Sequence, residues 1–327
     1  MNEDKNLETA QLKKILWIAL VALLTPVLIA VFVPGFKQLT WTYHNSETSM
    51  AGKITVDKND NLYFIENDKL SKYDAQNNLI ATIDGKERYG MSFGRGIAVN
   101  EVGDIFVINE LESNVEVYAA SGQFLRSWMV KDSKKAITYS AEDIVIDSEG
   151  FIYTLATGGN RVQKFDENGN FITQWGQQGT EPGYFNNPRG MAIDGQDHIL
   201  VADTFNNRVQ KFDKDGNLLQ VWGGQPSFQT KFKLGDYKIG LEIYLDGNKH
   251  FKTPQDIAVD RQDNVYVADT QHKTIKKFDP AGNFITSWNN SNGFFDQLDN
   301  PGSLDVDSQG NVYVFDWYFD RILKYKL

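Results

Sequence analysis

Residues 188–223, PRGMAIDGQDHILVADTFNNRVQKFDKDGNLLQVWG, hold four strand-length runs in series. MAID, RVQKFD and NLLQVWG alternate apolar with polar residues, HILVAD is an apolar run, and DGQDH, TFNN and DKDG separate them. Short runs of this kind, bounded by Asn, Asp and Gly, read as strands joined by hairpins. The unit recurs, with further copies starting at Ala51, Gly94, Ala141, Pro254 and Pro301. The residue closing each first strand is Asp57, Asn100, Asp147, Asp194, Asp260 and Asp307, giving steps of 43, 47, 47, 66 and 47 residues. One four-stranded sheet of this length has two faces to bury and nothing of its own to cover them. Packing against copies of itself solves that, and a period in the forties is the signature of propeller blades.

The wording of the repeat adds to its period. Pro-x-Gly-Ile-Ala-Val-Asp, a strand ending Val-Ala-Asp, then Asn-Arg-Val-Gln-Lys-Phe-Asp resembles the NHL repeat, best at residues 188–223, 254–288 and 141–176. The resemblance covers residues 51–327. It implies an all-β, six-bladed β-propeller whose rim and faces bind partners, and it fixes no single activity, because one fold hosts many functions.

The last copy stops at Leu327 after its third strand. The stretch at residues 37–44, KQLTWTYH, alternates, and its Leu-Thr-Trp is similar to the repeat endings FITSW and LLQVW. It is therefore expected to pair with RILKYK and close the ring, which removes two exposed sheet edges. The propeller is assigned to residues 37–327.

Before it lies ILWIALVALLTPVLIAVFV, residues 15–33, with no charge over 19 residues. A bilayer-spanning helix needs about 20. Lys13 and Lys14 precede it directly, which by the positive-inside bias leaves residues 1–14 as a cytoplasmic stub and the propeller extracytoplasmic. The run is longer than a signal-peptide core, and LIAVFVPGF offers no small-x-small cleavage site. The expectation is an uncleaved signal-anchor in a single-pass protein of the cell membrane, of bacterial type. A cleaved signal peptide and the opposite topology are the alternatives. Cysteine is absent, so no disulfide or thiolate site exists, and the net charge of −10 argues against nucleic acid as a partner.

Most repeated residues have a structural reading. The Asp closing each first strand precedes a turn such as DKND or DSEG, where a carboxylate caps backbone N–H groups. Asp203 with Arg208 and Asp316 with Arg321 recur five residues apart, and Asp269 has Lys273 nearby, as pins of the second hairpin. Trp128, Trp175, Trp222 and Trp288 end fourth strands, with Trp41 as a fifth, and are expected to fill the wedges between blades.

Function is expected where the copies differ. The resemblance gathers the loops entering first strands and leaving second strands at one mouth of the central channel. That mouth then holds Arg95, Glu142, Asp143, Arg189, Gln255 and Asp256, with Glu66, Asn109, Asp203, Asp269 and Asp316. No resident cofactor or metal is assigned, although such carboxylates and amides suit a divalent cation such as calcium. Related six-bladed lactonases, esterases and an amidating lyase use a central metal, but their ligand patterns do not match here. Of the four histidines, His44, His198, His250 and His272, the last two flank the start of the fifth blade and are placed to approach each other. The long step contains an insertion, residues 225–252, in which KFKL and IGLEIYL read as a hairpin with Phe232, Tyr237, Tyr244 and His250 as partner-binding candidates. The reading is a membrane-anchored scaffold that binds a protein, peptide or glycan. The alternative is a metal-dependent hydrolase or lyase with its site at the channel mouth.

Overall fold

The computed structural model describes residues 37–44, 53–66, 69–84, 93–109, 113–130, 141–224, 228–234, 237–243, 250–289 and 298–326. At 37–44, 66, 84, 93–95, 228–234 and 237–243 it describes the backbone only. The apolar stretch at 15–33 lies outside the described residues, and among those described no helix is long and apolar enough to cross a membrane.

Each copy of the repeat folds as one four-stranded antiparallel sheet. In blade 4 the strands are Gly190–Ile193, Ile199–Asp203, Arg208–Phe212 and Leu218–Gly223, paired in chain order. Blades 1, 2, 3 and 5 repeat this over residues 54–84, 93–129, 141–175 and 254–288. In blade 6 the order is Lys37–His44, Arg321–Lys326, Val312–Asp316, Pro301–Val306, so the outer strand comes from the opposite end of the chain. The copies share even an irregularity: the third and fourth strands slip register at Lys72/Tyr73, Val117/Tyr118, Lys164/Phe165, Lys211/Phe212 and Lys277/Phe278. A repeated bulge of this sort adds twist, which splays a blade outward from the axis.

The core is divided among the blade interfaces. One cluster joins Tyr63, Ile65 and Leu70 of blade 1 to Ile97, Val107 and Tyr118 of blade 2. Equivalent clusters lie between blades 2 and 3, 3 and 4, 4 and 5, and 5 and 6. Ile54, Leu62 and Phe64 pack on Tyr313, Phe315 and Ile322, closing the ring between blades 6 and 1. This explains the sequence pattern. A second strand sits in the middle of its sheet with neighbouring blades on both faces, so Ile199–Asp203 and its counterparts are buried throughout and read as apolar runs. The fourth strand Phe124–Met129 lies at the outside and alternates.

Four of the five tryptophans fill the wedges as expected, and the side chain of the fifth, Trp41, lies outside the described residues. Trp128, Trp175, Trp222 and Trp288 each meet a third-strand ring of the next blade, Phe165, Phe212, Phe278 and Tyr325, at centroid distances of 6.3, 6.0, 6.4 and 6.5 Å. The turn reading also holds. Asp147 Oδ1 accepts N–H bonds from Glu149 (3.0 Å) and Phe151 (2.8 Å), and its Oδ2 accepts the Tyr153 hydroxyl (2.9 Å).

The two faces of the disc differ. Up-and-down pairing puts the short turns between first and second and between third and fourth strands on one face. The second hairpins and the strand ends that the blade-to-blade connections join lie on the other. The longest connection, between Gly223 and Pro254, contains the antiparallel pair Phe228–Leu234 and Tyr237–Ile243.

Candidate functional site: the channel mouth

The first strands surround the axis, and one position in each repeat lies where that strand enters the channel. Reading round the ring, it is occupied by Lys53, Gly96, Asp143, Gly190, Asp256 and Ser303. Blades 1, 3 and 5 thus carry charge, and blades 2 and 4 carry glycine between them. Gly190 is a steric necessity: a Cβ there would lie 2.6 Å from both the Asp256 Cα and the Gln255 carbonyl oxygen.

The three charges converge. The Lys53 ammonium donates to Asp143 Oδ2 at 2.8 Å and to Asp256 Oδ1, joining blades 1, 3 and 5 across the channel. Both carboxylates are almost wholly buried and have further donors. Asp143 Oδ2 accepts Met191 N–H of blade 4 at 2.6 Å, and Asp256 Oδ2 accepts the Ser303 hydroxyl and Leu304 N–H of blade 6, each at 2.9 Å. Ser303 Oγ in turn accepts Ile54 N–H of blade 1 at 3.1 Å. Asp143, Asp256 and Ser303 therefore each reach the backbone of the next blade.

Burial pushes the Asp143 carboxyl up to about 6, against the opposing pull of Lys53. Burial by itself lowers Lys53, but the two carboxylates outweigh it and hold the ammonium above its ordinary range. Asp305 of blade 6 is a second displaced acid, raised by burial to about 6 although it accepts N–H bonds from Val56 and Val306 and the Thr55 hydroxyl.

The triad plugs the channel. Beyond it lies a cavity of about 170 Å³ lined by first-strand residues of all six blades, among them Thr55, Ala98, Ile146, Ala192, Ala258 and Asp305. At the mouth a smaller cavity of about 30 Å³ is bounded by Lys53, Glu142, Arg189, Gln255, Asp256, Gly302, Ser303 and Trp317. Lys53 lines both. The Trp317 indole lies so close over Gly302 that a Cβ there would fall 2.0 Å from its Cε2.

The sequence candidates separate into two groups. Glu142, Asp143, Arg189 and Asp256 come together at the mouth cavity or its floor. Asn109, Asp203, Asp269 and Asp316 end second strands, are fully buried, and do not line it. Asp203 accepts Asn186 N–H (2.7 Å), Arg208 Nε (2.7 Å), Asn206 Nδ2 (2.8 Å) and Gln210 Nε2 (3.0 Å), pinning the entry loop of its blade to the second hairpin. Asp316 accepts Asp299 and Asn300 N–H at 3.0 Å each and lies 3.8 Å from Arg321. Asn109 donates to Glu116 at 3.2 Å. The Asp269 pairing differs from expectation: its partners are His272 (2.7 Å) and Lys276 (2.9 Å), because Lys273, in a left-handed backbone conformation, turns to Asp299.

The side chains of Glu66, Arg95, Phe232 and Tyr237, and all of Tyr244, lie outside the described residues. His250 and His272 do approach, edge to face at 5.3 Å. Among the described residues no group of three or more His, Asp or Glu is arranged to hold a metal ion. Lys53, Ser303, Asp305 and Trp317 were not singled out from the sequence. Lys53 and Ser303 become visible when the six first strands are stacked column by column. Asp305 stands out in the same way, as the one acid where the other copies have Thr55, Ala98, Val145, Ala192 and Ala258.

The NHL repeat family model matches residues 185–212 and 251–278, in blades 4 and 5. The sequence matches none of the curated proteins. Among solved structures, virginiamycin B lyase from Staphylococcus aureus superposes with a TM-score of 0.58 at 9% identity, covering 88% of this chain and 98% of that one. A gluconolactonase from Xanthomonas campestris gives 0.58 at 12%, covering 86% and 87%. A protein of unknown function from Bacteroides thetaiotaomicron gives 0.59 at 15%, covering 85% and 70%. At these identities the likeness is one of fold. With six copies of one repeat, two of them matched by the family model, folded as six four-stranded blades in a closed ring, this chain is an NHL-repeat β-propeller.

Proposed function

We propose that this propeller is a binding protein that presents its mouth face to a protein, peptide or glycan, held at the outer surface of a membrane by residues 15–33. The observation that carries this reading is Lys53. A cation supplied by the chain itself pairs with both axial carboxylates, and every oxygen of Asp143 and Asp256 is engaged within the protein. Such a site is built for rigidity. The mouth face also carries exposed aromatic rings on the second hairpins of blades 4 and 6: Phe205, Tyr318 and Phe319 are 55%, 68% and 43% exposed. Exposed aromatic rings such as the Tyr318–Phe319 pair, 4.9 Å apart, mark interaction surfaces.

A second reading, a hydrolase or lyase at the mouth, has one observation in its favour. Asp143, at the floor of the site, is raised to about 6, the range of a general acid-base group. The fold neighbours named above include a lyase and a gluconolactonase, and this reading carries their kind of chemistry over as a proposal only.

The test uses the full chain in detergent micelles on peptide and glycan arrays. The variant Tyr318→Ser/Phe319→Ser is expected to lose at least about tenfold in affinity, while Glu149→Ala, on the opposite face, binds as wild type. A ligand at 100 times its Kd stabilises by about 2.7 kcal/mol. A melting temperature raised by calcium or manganese, together with metal-dependent turnover of an ester or lactone, would replace the binding reading with the second one.

A further inference from the structure

We infer that the mouth cavity binds an α-amino-acid unit: a carboxylate whose α-carbon carries N–H, as in a free amino acid or the C-terminal residue of a peptide. The inference rests on the binding reading above and names the chemistry of the ligand.

Nearly all the polar groups around this cavity are committed. Lys53 is held by Asp143 and Asp256, Asp256 has donors on both oxygens, and Ser303 both donates and accepts. Two atoms differ. Arg189 Nε and Gln255 Oε1 are shut off from solvent and have no hydrogen-bond partner. Leaving buried donors and acceptors unmade is costly, so an unpaired donor and an unpaired acceptor on two residues that line one small cavity need a reason. Arg189 and Gln255 occupy equivalent positions in adjacent blades, and the contact of Gly190 with the Gln255 carbonyl brings those blades as close as glycine permits.

What they lack defines what they accept. A guanidinium matches a carboxylate in a two-point, planar contact. An amide oxygen needs an N–H. An α-amino-acid unit offers both within three bonds. Size agrees: the cavity is about 30 Å³, and a water needs about 10–15 Å³ on that measure, so it takes about two or three heavy atoms. A carboxylate fits, and the side chain of the ligand stays outside against Trp317. Charge narrows the class further. Lys53 and Arg189 are outnumbered by Glu142, Asp143 and Asp256, so the surroundings are net negative and disfavour a multiply charged anion such as a phosphate.

The experiment is calorimetric titration of the full chain in detergent with leucine, N-acetylleucine, glycyl-leucine, leucinamide and 4-methylpentanoate. The last two lack the carboxylate and the N–H respectively. At least one of the first three is expected to bind with a Kd of about 10 μM to 1 mM, and the last two at least about tenfold more weakly. Leucine tighter than glycyl-leucine assigns the free amino acid, and the reverse order assigns a peptide C-terminus.

Arg189→Gln should weaken every carboxylate ligand at least about tenfold. Gln255→Leu should weaken the N–H-bearing ligands while leaving 4-methylpentanoate unchanged, a split that a general structural defect does not produce. Unchanged melting temperatures certify that both variants fold. The inference is overturned if no ligand binds up to about 10 mM, if leucinamide binds as tightly as leucine, or if Arg189→Gln binds as wild type. If these titrations fail while the array binding and its loss in the Tyr318/Phe319 variant persist, the pocket assignment falls and the binding-face reading stands. If both fail, both readings fall.

Discussion

Replacing Lys53 by methionine tests the account of the channel most directly. The substitution keeps the stem and removes the ammonium, leaving Asp143 and Asp256, 1% and 2% exposed, without their counter-charge. Breaking a buried ion pair by deleting one partner costs about 3–5 kcal/mol, because the remaining charge stays desolvated. At about 2–4 °C per kcal/mol for a domain of this size, the melting temperature should fall by about 6–20 °C at pH 7. The loss should depend on pH with a definite sign. Asp143 is already raised to about 6 in the folded protein, above the usual value of about 3.9 for an unfolded Asp. Folded protein therefore binds more protons between these values, and stability falls as pH rises from about 4 to about 6. Without Lys53 the Asp143 carboxyl shifts higher still, so the fall should steepen and extend above pH 6. Thermal melting from pH 4 to 8 reads this directly. Adding Asp143→Asn and Asp256→Asn to Lys53→Met should restore most of the loss, since no charge is then stranded. A Lys53→Met protein within about 1 kcal/mol of wild type at pH 7, with no steeper pH dependence, would refute the reasoning.

Three further outcomes are expected. Asp305→Asn should flatten stability between about pH 4 and 6 by about 1–3 kcal/mol in denaturant titrations, since an acid held at about 6 by burial makes the folded state less stable once ionised. Trp222→Ala, which empties the wedge between blades 4 and 5, should cost about 3–5 kcal/mol, and Trp222→Phe distinctly less. Deleting residues 36–45 removes the outer strand beside Arg321–Lys326 and re-exposes that edge; an unchanged melting temperature would show that the strand contributes nothing.

The blades were legible because their signals are local. Runs such as ILVAD and turns such as DKDG sit within a few residues of one another, and repetition multiplies each signal by six. The tryptophan wedge was legible for the same reason. The partners of Asp269 were not: Lys273, the nearer cation in the chain, is turned away by its own backbone, and Lys276, on the facing strand, reaches the carboxylate instead. The pins at Asp203 and Asp316 were recognised as pairs, but their main work, holding the loop that enters their own blade, involves Asn186, Asp299 and Asn300, which carry no sequence signal.

By itself, then, the sequence determined the number of blades, the strands in each, and the residues that fill the space between them, all consequences of short-range pattern and its period. Only the tertiary structure decided that Lys53, Asp143 and Asp256 form one site. Lys53 and Asp256 are 203 residues apart, and nothing along the chain links them. Closing six repeats into a ring brings equivalent positions of every first strand to a common axis. Side chains from alternate blades then meet there, and what matters chemically is the difference between copies at one position.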